Sequence, residues 1–464
     1  MIRVVINETP YEAYEGERLS DLLIRTGETI PMPCGGRGKC GKCLVTVDGQ
    51  PRLACRYRIG SEIRVTLPER ETIVSETGAR ETGTLHGNAV LALDVGTTTL
   101  AMALVSRDTG EIVRVVTRAN PQRAYGADVM SRIGYCTEHG VSALHQAVIG
   151  AAEEMRQALH APDVRNMYVA GNTTMLHLFF GDDPSGMGVS PYTPVFLGSK
   201  TVRGESLGIS CVQNIISLPS AAAFVGADLT AGLHYIGLPD DGRYRLLIDL
   251  GTNAEIVLFS RETAVCTAAA AGPCFEGANI SCGMSASDGA ICAYDAKGYR
   301  TIGGAAAAGL CGTGLVDVIA FLLDAGTIDE TGYMACGSFA VAPRVRLTQA
   351  DVRQYQLAKS AVSAAVQTLM HRQGVESGDI DALYVSGGFS ARINIGSAVR
   401  TGLLPQTLRD KCVCIGNSSL LGTVKYACAQ TDLSAFSACM QYVDLTTDPA
   451  FTDLFVENMS FGDA

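Results

Sequence analysis

LALDVGTTTLAMALV at residues 91–105 and LLIDLGTNAEIVLF at residues 246–259 carry one pattern twice. In each, an apolar run ends on an aspartate, a glycine and a threonine follow, and an apolar run resumes at once. A buried strand, a short polar break and a second strand describe a β-hairpin. The turn holds Asp94, Gly96, Thr97 and Thr98 in the first copy, and Asp249, Gly251, Thr252 and Asn253 in the second. Such a turn can offer backbone N–H and hydroxyl donors to phosphate oxygens while its carboxylate holds Mg2+ or a metal-bound water. A single Asp-x-Gly-Thr turn joins strands in many proteins. Two of them, each closing a buried strand, would grip a nucleoside triphosphate from both sides.

Outward from the hairpins the chain alternates between strand and helix. Strands are expected at Val90–Val95, Met167–Ala170, Leu246–Leu250 and Leu383–Ser386, and helices at Ser142–Leu159 and Thr348–Gln373. This is the α/β pattern, with each aspartate opening its own subdomain, 89–243 and 244–464. VSGGFS at 385–390 is a strand ending in Gly387 and Gly388, where the adenosine of a nucleotide can approach the backbone closely. Upstream, ERETIVSETGARETGTLHGN at 69–88 has too few apolar residues to bury a core and reads as a linker. Before it, residues 1–68 form a separate unit. Its strands are expected at Ile2–Ile6, Leu44–Val47 and Ile63–Leu67, with a short helix carrying Leu19, Leu22 and Leu23 on one face and stopping at Gly27.

That first unit holds four cysteines spaced C-x5-C-x2-C-x11-C: Cys34, Cys40 and Cys43 in CGGRGKCGKC, and Cys55 in RLACR. Iron-sulfur clusters need soft thiolates, and their sulfides accept hydrogen bonds from backbone N–H groups. A loop rich in glycine, here Gly35, Gly36, Gly38 and Gly41, brings such groups close. The competing reading is tetrahedral zinc, which Cys40 and Cys43 would also suit. Zinc modules usually bring two such pairs, whereas here one loop carries three cysteines, so the expectation is a [2Fe-2S] cluster. Arg37 and Lys39 flank it as candidate contacts for an acidic electron donor, or as a solvated rim. Among the remaining cysteines, the run Cys266, Cys274, Cys282 and Cys292 has no known cluster spacing and reads as buried thiols.

Composition narrows the classes. At 464 residues, 47% hydrophobic and 18% charged, the chain can fill several cores. A net charge of −11 gives no basic field for nucleic acid or anionic membrane. The N-terminus has no cationic stretch followed by an apolar one, and no apolar run approaches the ~18 residues of a membrane span. The expected location is therefore the cytoplasm, where its 16 cysteines are thiols or metal ligands and not a disulfide framework.

With the cysteine loop and both hairpins on one chain, the sequence resembles the reductive activators of corrinoid proteins. These join a [2Fe-2S] domain to an ATPase of the acetate kinase, sugar kinase, heat-shock protein and actin superfamily. The resemblance extends to GNTTML (171–176), LPSAAAFVGAD (218–228), CFEGANISCGM (274–284), GLCGTGLVD (309–317) and GNSSLLG (416–422). It implies a β-grasp, ferredoxin-like α+β domain over 1–68, the linker, and an α/β RNase H-like, actin-like ATPase in two subdomains. The linker is short where larger members carry further segments. The implied activity is repair: a corrinoid in a methyl-transfer partner oxidises from Co(I) to Co(II), and the activator returns one electron using ATP. ATP is needed because plant-type clusters sit near about −400 mV, and the cobalt couple is implied to be harder to reduce.

On this reading Cys34, Cys40, Cys43 and Cys55 ligate the cluster, and Asp94 and Asp249 position Mg2+ and phosphate. Thr97, Thr98, Thr252 and Asn253 are phosphate donors beside Gly96 and Gly251, Gly387 and Gly388 form the adenosine platform, and Asp228 orients the attacking water. Expected partners are a corrinoid-containing protein, a low-potential donor (ferredoxin, flavodoxin or reductase) and a second copy in a homodimer. Two other classes remain open: a small-molecule kinase with a redox-sensing domain, and a non-hydrolysing electron carrier.

Overall fold

The computed structural model describes residues 1–28, 30, 32, 36, 38, 41, 43–68, 80–388, 390–434, 437 and 440–461. Strand Ala89–Val95 is an almost unbroken apolar run, which suits a strand covered on both faces. It takes a central place in a six-stranded sheet ordered Thr201–Arg203, Val212–Ser217, Val164–Gly171, Ala89–Val95, Thr99–Ser106, Glu111–Ala119. Strand Tyr244–Leu250 holds the corresponding place in a second sheet, ordered Cys412–Gly416, Ile380–Ser386, Tyr244–Leu250, Ala254–Phe259, Ala264–Ala269, Met440–Tyr442.

Each aspartate-bearing strand pairs antiparallel with the strand after its own turn, and parallel with a strand that returns by a crossover. The next strands outward repeat the rule on both sides. Two sheets of one topology therefore set their aspartates at matching strand ends.

Two helices exchange places between the halves. Helix Ala227–Ile236 follows the first sheet in sequence, yet its Leu229 and Leu233 pack with Leu247 and Val257 of the second. Helix Ser418–Ala429 follows the second sheet and places Leu420, Val424 and Ala427 in the core of the first. They cross where side chains are smallest: a Cβ on Gly422 would lie 1.9 Å from the Ala231 carbonyl oxygen, and one on Gly232 would lie 2.6 Å from Ser418 Oγ.

The first 68 residues build a five-stranded sheet ordered Thr9–Ala13, Ile2–Ile6, Ile63–Thr66, Leu44–Val47, Gln50–Leu53. Only Ile2–Ile6 and Ile63–Thr66 run parallel; the other pairs are antiparallel. Helix Leu19–Arg25 buries Leu19, Leu22 and Leu23 in the same core, which makes a β-grasp domain. Residues 69–79 of the expected linker lie outside the described residues. Its last part is tied down: Thr82 and Gly83 donate to the carbonyls of Ile112 and Val113, at 2.9 and 3.0 Å, and Glu81 accepts from Val115 N–H at 3.0 Å. These bonds cover the outer strand Glu111–Ala119, whose edge would otherwise be open. No described helix is long and apolar enough to cross a membrane.

His177, on helix Thr173–Phe180, anchors the loop that follows. It is fully buried, stacks on Phe196, faces the Thr173 carbonyl with Nδ1 at 2.7 Å and accepts Val195 N–H at Nε2 over 2.9 Å. A ring that donates at one nitrogen and accepts at the other is neutral, and burial holds its pKa below the usual histidine value.

Two outcomes follow from this packing. Gly422→Ala should lower the thermal unfolding midpoint, reflecting about 1–3 kcal/mol for forcing volume into a closed contact; an unchanged midpoint would mean the helices do not approach so closely. The depressed His177 pKa makes the unfolded chain bind the proton first. Its contribution is therefore fully present above the unfolded value of about 6.5 and is lost as pH falls below it. Unfolding midpoints recorded against pH should decline through that window, and His177→Gln should flatten the decline.

Candidate nucleotide cleft and cysteine site

Both hairpin turns open into one cleft between the sheets. Asp94, Gly96, Thr97, Thr98, Asp228, Asp249, Gly251, Thr252, Asn253, Gly387 and Gly388 all line it. Glycine is required at the crossover strand ends: a Cβ on Gly387 would lie 2.2 Å from the Leu250 carbonyl oxygen, and one on Gly171 would lie 2.7 Å from that of Val95. These two glycines let the neighbouring strand press against the residue after each aspartate.

The two aspartates have different surroundings. Asp94 is satisfied at both oxygens by the start of the exchanged helix: Asn417 Nδ2 donates at 2.7 Å and Ser419 Oγ at 2.7 Å. Burial raises the Asp94 pKa, and these two donors oppose the rise. Asp249 accepts from Ser386 Oγ at 2.9 Å. Its helical neighbour is Asp228, in the first turn of Ala227–Ile236, at the place where the other helix has Ser419. Burial first, and then repulsion from Asp249, push the Asp228 carboxyl up. Burial pushes Asp249 up to about 6. Glu255, two residues beyond Asn253, joins them and is pushed up by burial and by Asp228. One half thus neutralises its aspartate with neutral donors, while the other gathers three carboxylates. Such a set calls for a divalent cation, which is hard, oxygen-seeking and doubly charged.

Glu276 spans the two turns. Its Oε2 accepts from Thr98 Oγ1 at 2.6 Å and from Thr252 Oγ1 at 2.8 Å, and the two hydroxyls are 3.2 Å apart. Two of the threonines expected to serve phosphate therefore donate to a carboxylate here. Thr97 Oγ1 accepts from Asn172 Nδ2 at 2.9 Å, which leaves its own proton free to donate. Behind the first turn lies Arg132, a fully buried cation whose Nη2 donates to the Thr97 carbonyl at 2.6 Å. Phe275, Met284, Ile302, Cys292 and Cys311 also line the cleft and give it apolar surface of the kind a flat heterocycle needs.

Sequence reading did not assign Glu255, Glu276, Arg132, Asn172, Asn417 or Ser419. A signal existed for most: Asn172 and Asn417 head the two matching stretches GNTT and GNSS, Glu276 sits in CFEG, and Glu255 is a lone charge inside an apolar strand.

In the first domain, Cys34 and Cys40 lie outside the described residues, as do Arg37 and Lys39. Cys43 and Cys55 are buried, with Cys43 Sγ donating to Cys55 Sγ at 3.2 Å. Gly36, Gly38 and Gly41 have left-handed φ of 74°, 71° and 70°. The loop also passes close to Cys55, since a Cβ on Gly36 would sit 3.8 Å from Cys55 Cβ. Two adjacent buried thiols under a loop coiled by glycine fit a thiolate-held cluster. Cys266, Cys274, Cys282 and Cys292 have separate surroundings. Cys266 donates to the Gln441 carbonyl, Cys292 to that of Arg300, Cys282 accepts from Arg346 N–H, and Cys274 is buried.

Fold and site together define a ferredoxin-type domain joined to an ATPase of the actin-like superfamily. A family model described as a 2Fe-2S iron-sulfur cluster binding domain matches residues 1–68. The RACo middle region matches 89–241, and the C-terminal domain of RACo, the ASKHA domain, matches 243–464. Corrinoid activation enzyme RamQ of Eubacterium limosum is 27% identical, over 96% of each chain. The [Co(II) methylated amine-specific corrinoid protein] reductase of Methanosarcina barkeri is 28% identical over 71% of this chain and 68% of its own. The solved structure of a reductive activator for corrinoid, iron-sulfur protein superposes with a TM-score of 0.75 at 26% identity, covering 99% of this chain and 98% of that one. The chain belongs to the family of reductive activators of corrinoid proteins.

The three carboxylates around Asp249 repel one another whenever no cation is bound. Asp228→Asn should therefore stabilise the nucleotide-free protein, by about 1–2 kcal/mol in denaturant titrations, and should weaken Mg-nucleotide binding in calorimetry. A variant both less stable and unimpaired in binding would contradict the placement.

Proposed function

We propose that this chain is an ATP-dependent reductive activator. It takes one electron from a low-potential donor protein and passes it to the Co(II) corrinoid of a methyltransferase or other corrinoid protein, restoring Co(I). The observation carrying this reading is the union, on one chain, of a buried thiol pair beneath a glycine loop and a two-hairpin acidic cleft. The relatives' names supply the cobalt substrate.

A [2Fe-2S] centre on Cys34, Cys40, Cys43 and Cys55 would supply single-electron transfer. Cys43 and Cys55 hold their sulfurs away from water, and the glycines keep the loop's backbone close to them. In the cleft, Asp249 and Asp228 with Glu255 carry charge for Mg2+, and Asp228 orients the attacking water. Asp94, fixed by Asn417 and Ser419, positions phosphate through its turn. Thr97, Thr98, Thr252 and Asn253 donate to phosphate oxygens once Glu276 has given up the two threonines. Gly387 and Gly388 let adenosine lie against the backbone. Binding energy from nucleotide can then favour an activator–partner complex in which cobalt is easier to reduce.

The electron donor is read as a ferredoxin, flavodoxin or reductase, the working form as a homodimer, and the compartment as the cytoplasm. The last is supported by the described cysteines beyond the first domain, Cys136 to Cys428, which form no disulfide.

With reduced donor and a Co(II) corrinoid protein under anaerobic conditions, Co(I) absorbance should appear only when Mg-ATP is present. Cys43→Ser should abolish it. Asp249→Ala should slow it by roughly a hundredfold, the scale of losing one preorganised electrostatic contact, without changing the cluster spectrum. Equal Co(I) formation without ATP would overturn the coupling, and a phosphorylated small molecule in place of Co(I) would favour a kinase.

A further inference from the structure

The rear of the first phosphate turn is held almost entirely by one short segment and the arginine it supports. Asn120 Nδ2 donates to the Gly96 carbonyl at 2.8 Å, and Asn120 N–H to that of Thr98 at 2.8 Å. Between them, the Thr97 carbonyl takes Arg132 Nη2. Arg132 is in turn held by the same segment, with Nε on the Gly126 carbonyl at 3.0 Å and Nη1 on Gln122 Oε1 at 3.2 Å. Gln122 is fully buried, and its Nε2 donates to the Leu144 carbonyl at 2.9 Å. Three successive carbonyls of the turn thus follow whatever position residues 120–126 adopt.

The next residues of that segment belong to the cysteine domain's interior. Ala124 is buried, and with Tyr125 it joins the continuous apolar cluster that contains Ile30, Met32, Cys43, Ala54 and Cys55. Among the described residues they are the two from beyond residue 79 to enter that cluster. Tyr125 also packs against the core of the first large sheet. The 3-10 turn Pro121–Ala124 begins on the Asn120 cap and holds these contacts in one rigid turn.

We infer that residues 120–126 form a coupling element through which nucleotide at the 96–98 turn and the seating of the cysteine domain bias each other. Gln122 and Arg132 are its positioning residues. Phosphate entering at the front of the turn draws its N–H groups forward. The peptide planes that supply those N–H groups also carry the three carbonyls behind, so the pull reaches Asn120 and Arg132. From there it reaches Ala124 and Tyr125 without crossing solvent. The inference rests on the nucleotide reading of the cleft and goes beyond it, because an ATPase needs no such tie to its cluster domain.

Linkage supplies a test that a merely structural support would not pass, since coupled sites must affect each other by one factor. The full-length, anaerobically purified protein is titrated with Mg-ADP and with Mg-ATPγS. Affinity is measured by calorimetry, the cluster by visible circular dichroism, and residues 43–57 and 120–126 by amide hydrogen exchange. Nucleotide should alter the dichroism and slow exchange in both segments. Its dissociation constant should differ by about fivefold or more between oxidised and reduced protein, the lower end of usual coupling. Ala124→Glu should still bind nucleotide and still carry iron, yet lose both the dichroism change and the redox dependence of affinity. The inference is overturned if nucleotide binds the parent protein while cluster and exchange stay unchanged, or if Ala124→Glu responds as the parent does. Failure of either nucleotide to bind at all would sink the reading of the cleft and this inference with it.

Discussion

The start of helix Ser418–Ala429 is where the two halves of the large body become one machine. Asn417 and Ser419 hold both oxygens of Asp94 in the first half. Between them in sequence, Ser418 Oγ meets Ser386 Oγ at 2.7 Å, and Ser386 donates to Asp249 in the second half. Three consecutive residues therefore reach both hairpin aspartates, one directly and one through a single hydroxyl. Any rotation of one sheet against the other must strain this chain of short bonds or break it. The helix axis runs back over the first sheet and crosses its counterpart at Gly422, so its starting turn cannot shift freely. The positive end of a helix dipole near buried carboxylates adds to the same effect.

The two halves repeat one arrangement, and they depart from the repeat at the cleft. If both exchanged helices began alike, both aspartates would have hydroxyl and amide donors, and the cleft would be stable and chemically idle. Replacing the donor by Asp228 leaves the Asp249 side short of positive charge. Buried like charges raise each other's pKa and cost stability until a cation arrives. A divalent cation bound there would relieve that cost. Glu276 works in a related way: while it accepts from both Thr98 and Thr252, the two turns stay bridged across the cleft, and a phosphate would have to displace it to gain those hydroxyls.

Much of this was legible in the residues, and the part that was not has a common physical origin. The hairpins declared themselves because a buried strand, a glycine turn and a second buried strand are local events, and Asp94 and Asp249 came with them. The cysteine spacing was likewise local, although two of its four members lie outside the described residues. By contrast, Asn417 and Asp94 meet only after the chain has folded through two sheets. Glu276 meets Thr98 and Thr252 from a 3-10 turn with no periodic signature. Arg132 sits on a helix whose other buried residues are Val129, Ile133 and Cys136, so a cation on that face would ordinarily be assigned to solvent. The Thr97 carbonyl, Gln122, the Gly126 carbonyl and Met175 Sδ together make its burial tolerable, and no spacing rule brings those four together.

The linker shows how composition and structure can agree on chemistry while differing on freedom. Residues 80–88 are polar and mostly exposed, as their sequence suggests, yet their backbone bonds to the outer strand Glu111–Ala119 and to Ser106 and Asp108 fix where the first domain's tether ends. That strand leads straight into Asn120. The described part of the tether and the turn that carries Ala124 are therefore both fixed to one strand. The cysteine domain packs on that turn through Ala124 and Tyr125, so the position of its buried sulfurs is tied to the end of strand Glu111–Ala119. The same strand ends one residue before Asn120, whose side chain grips the first hairpin turn at the Gly96 carbonyl.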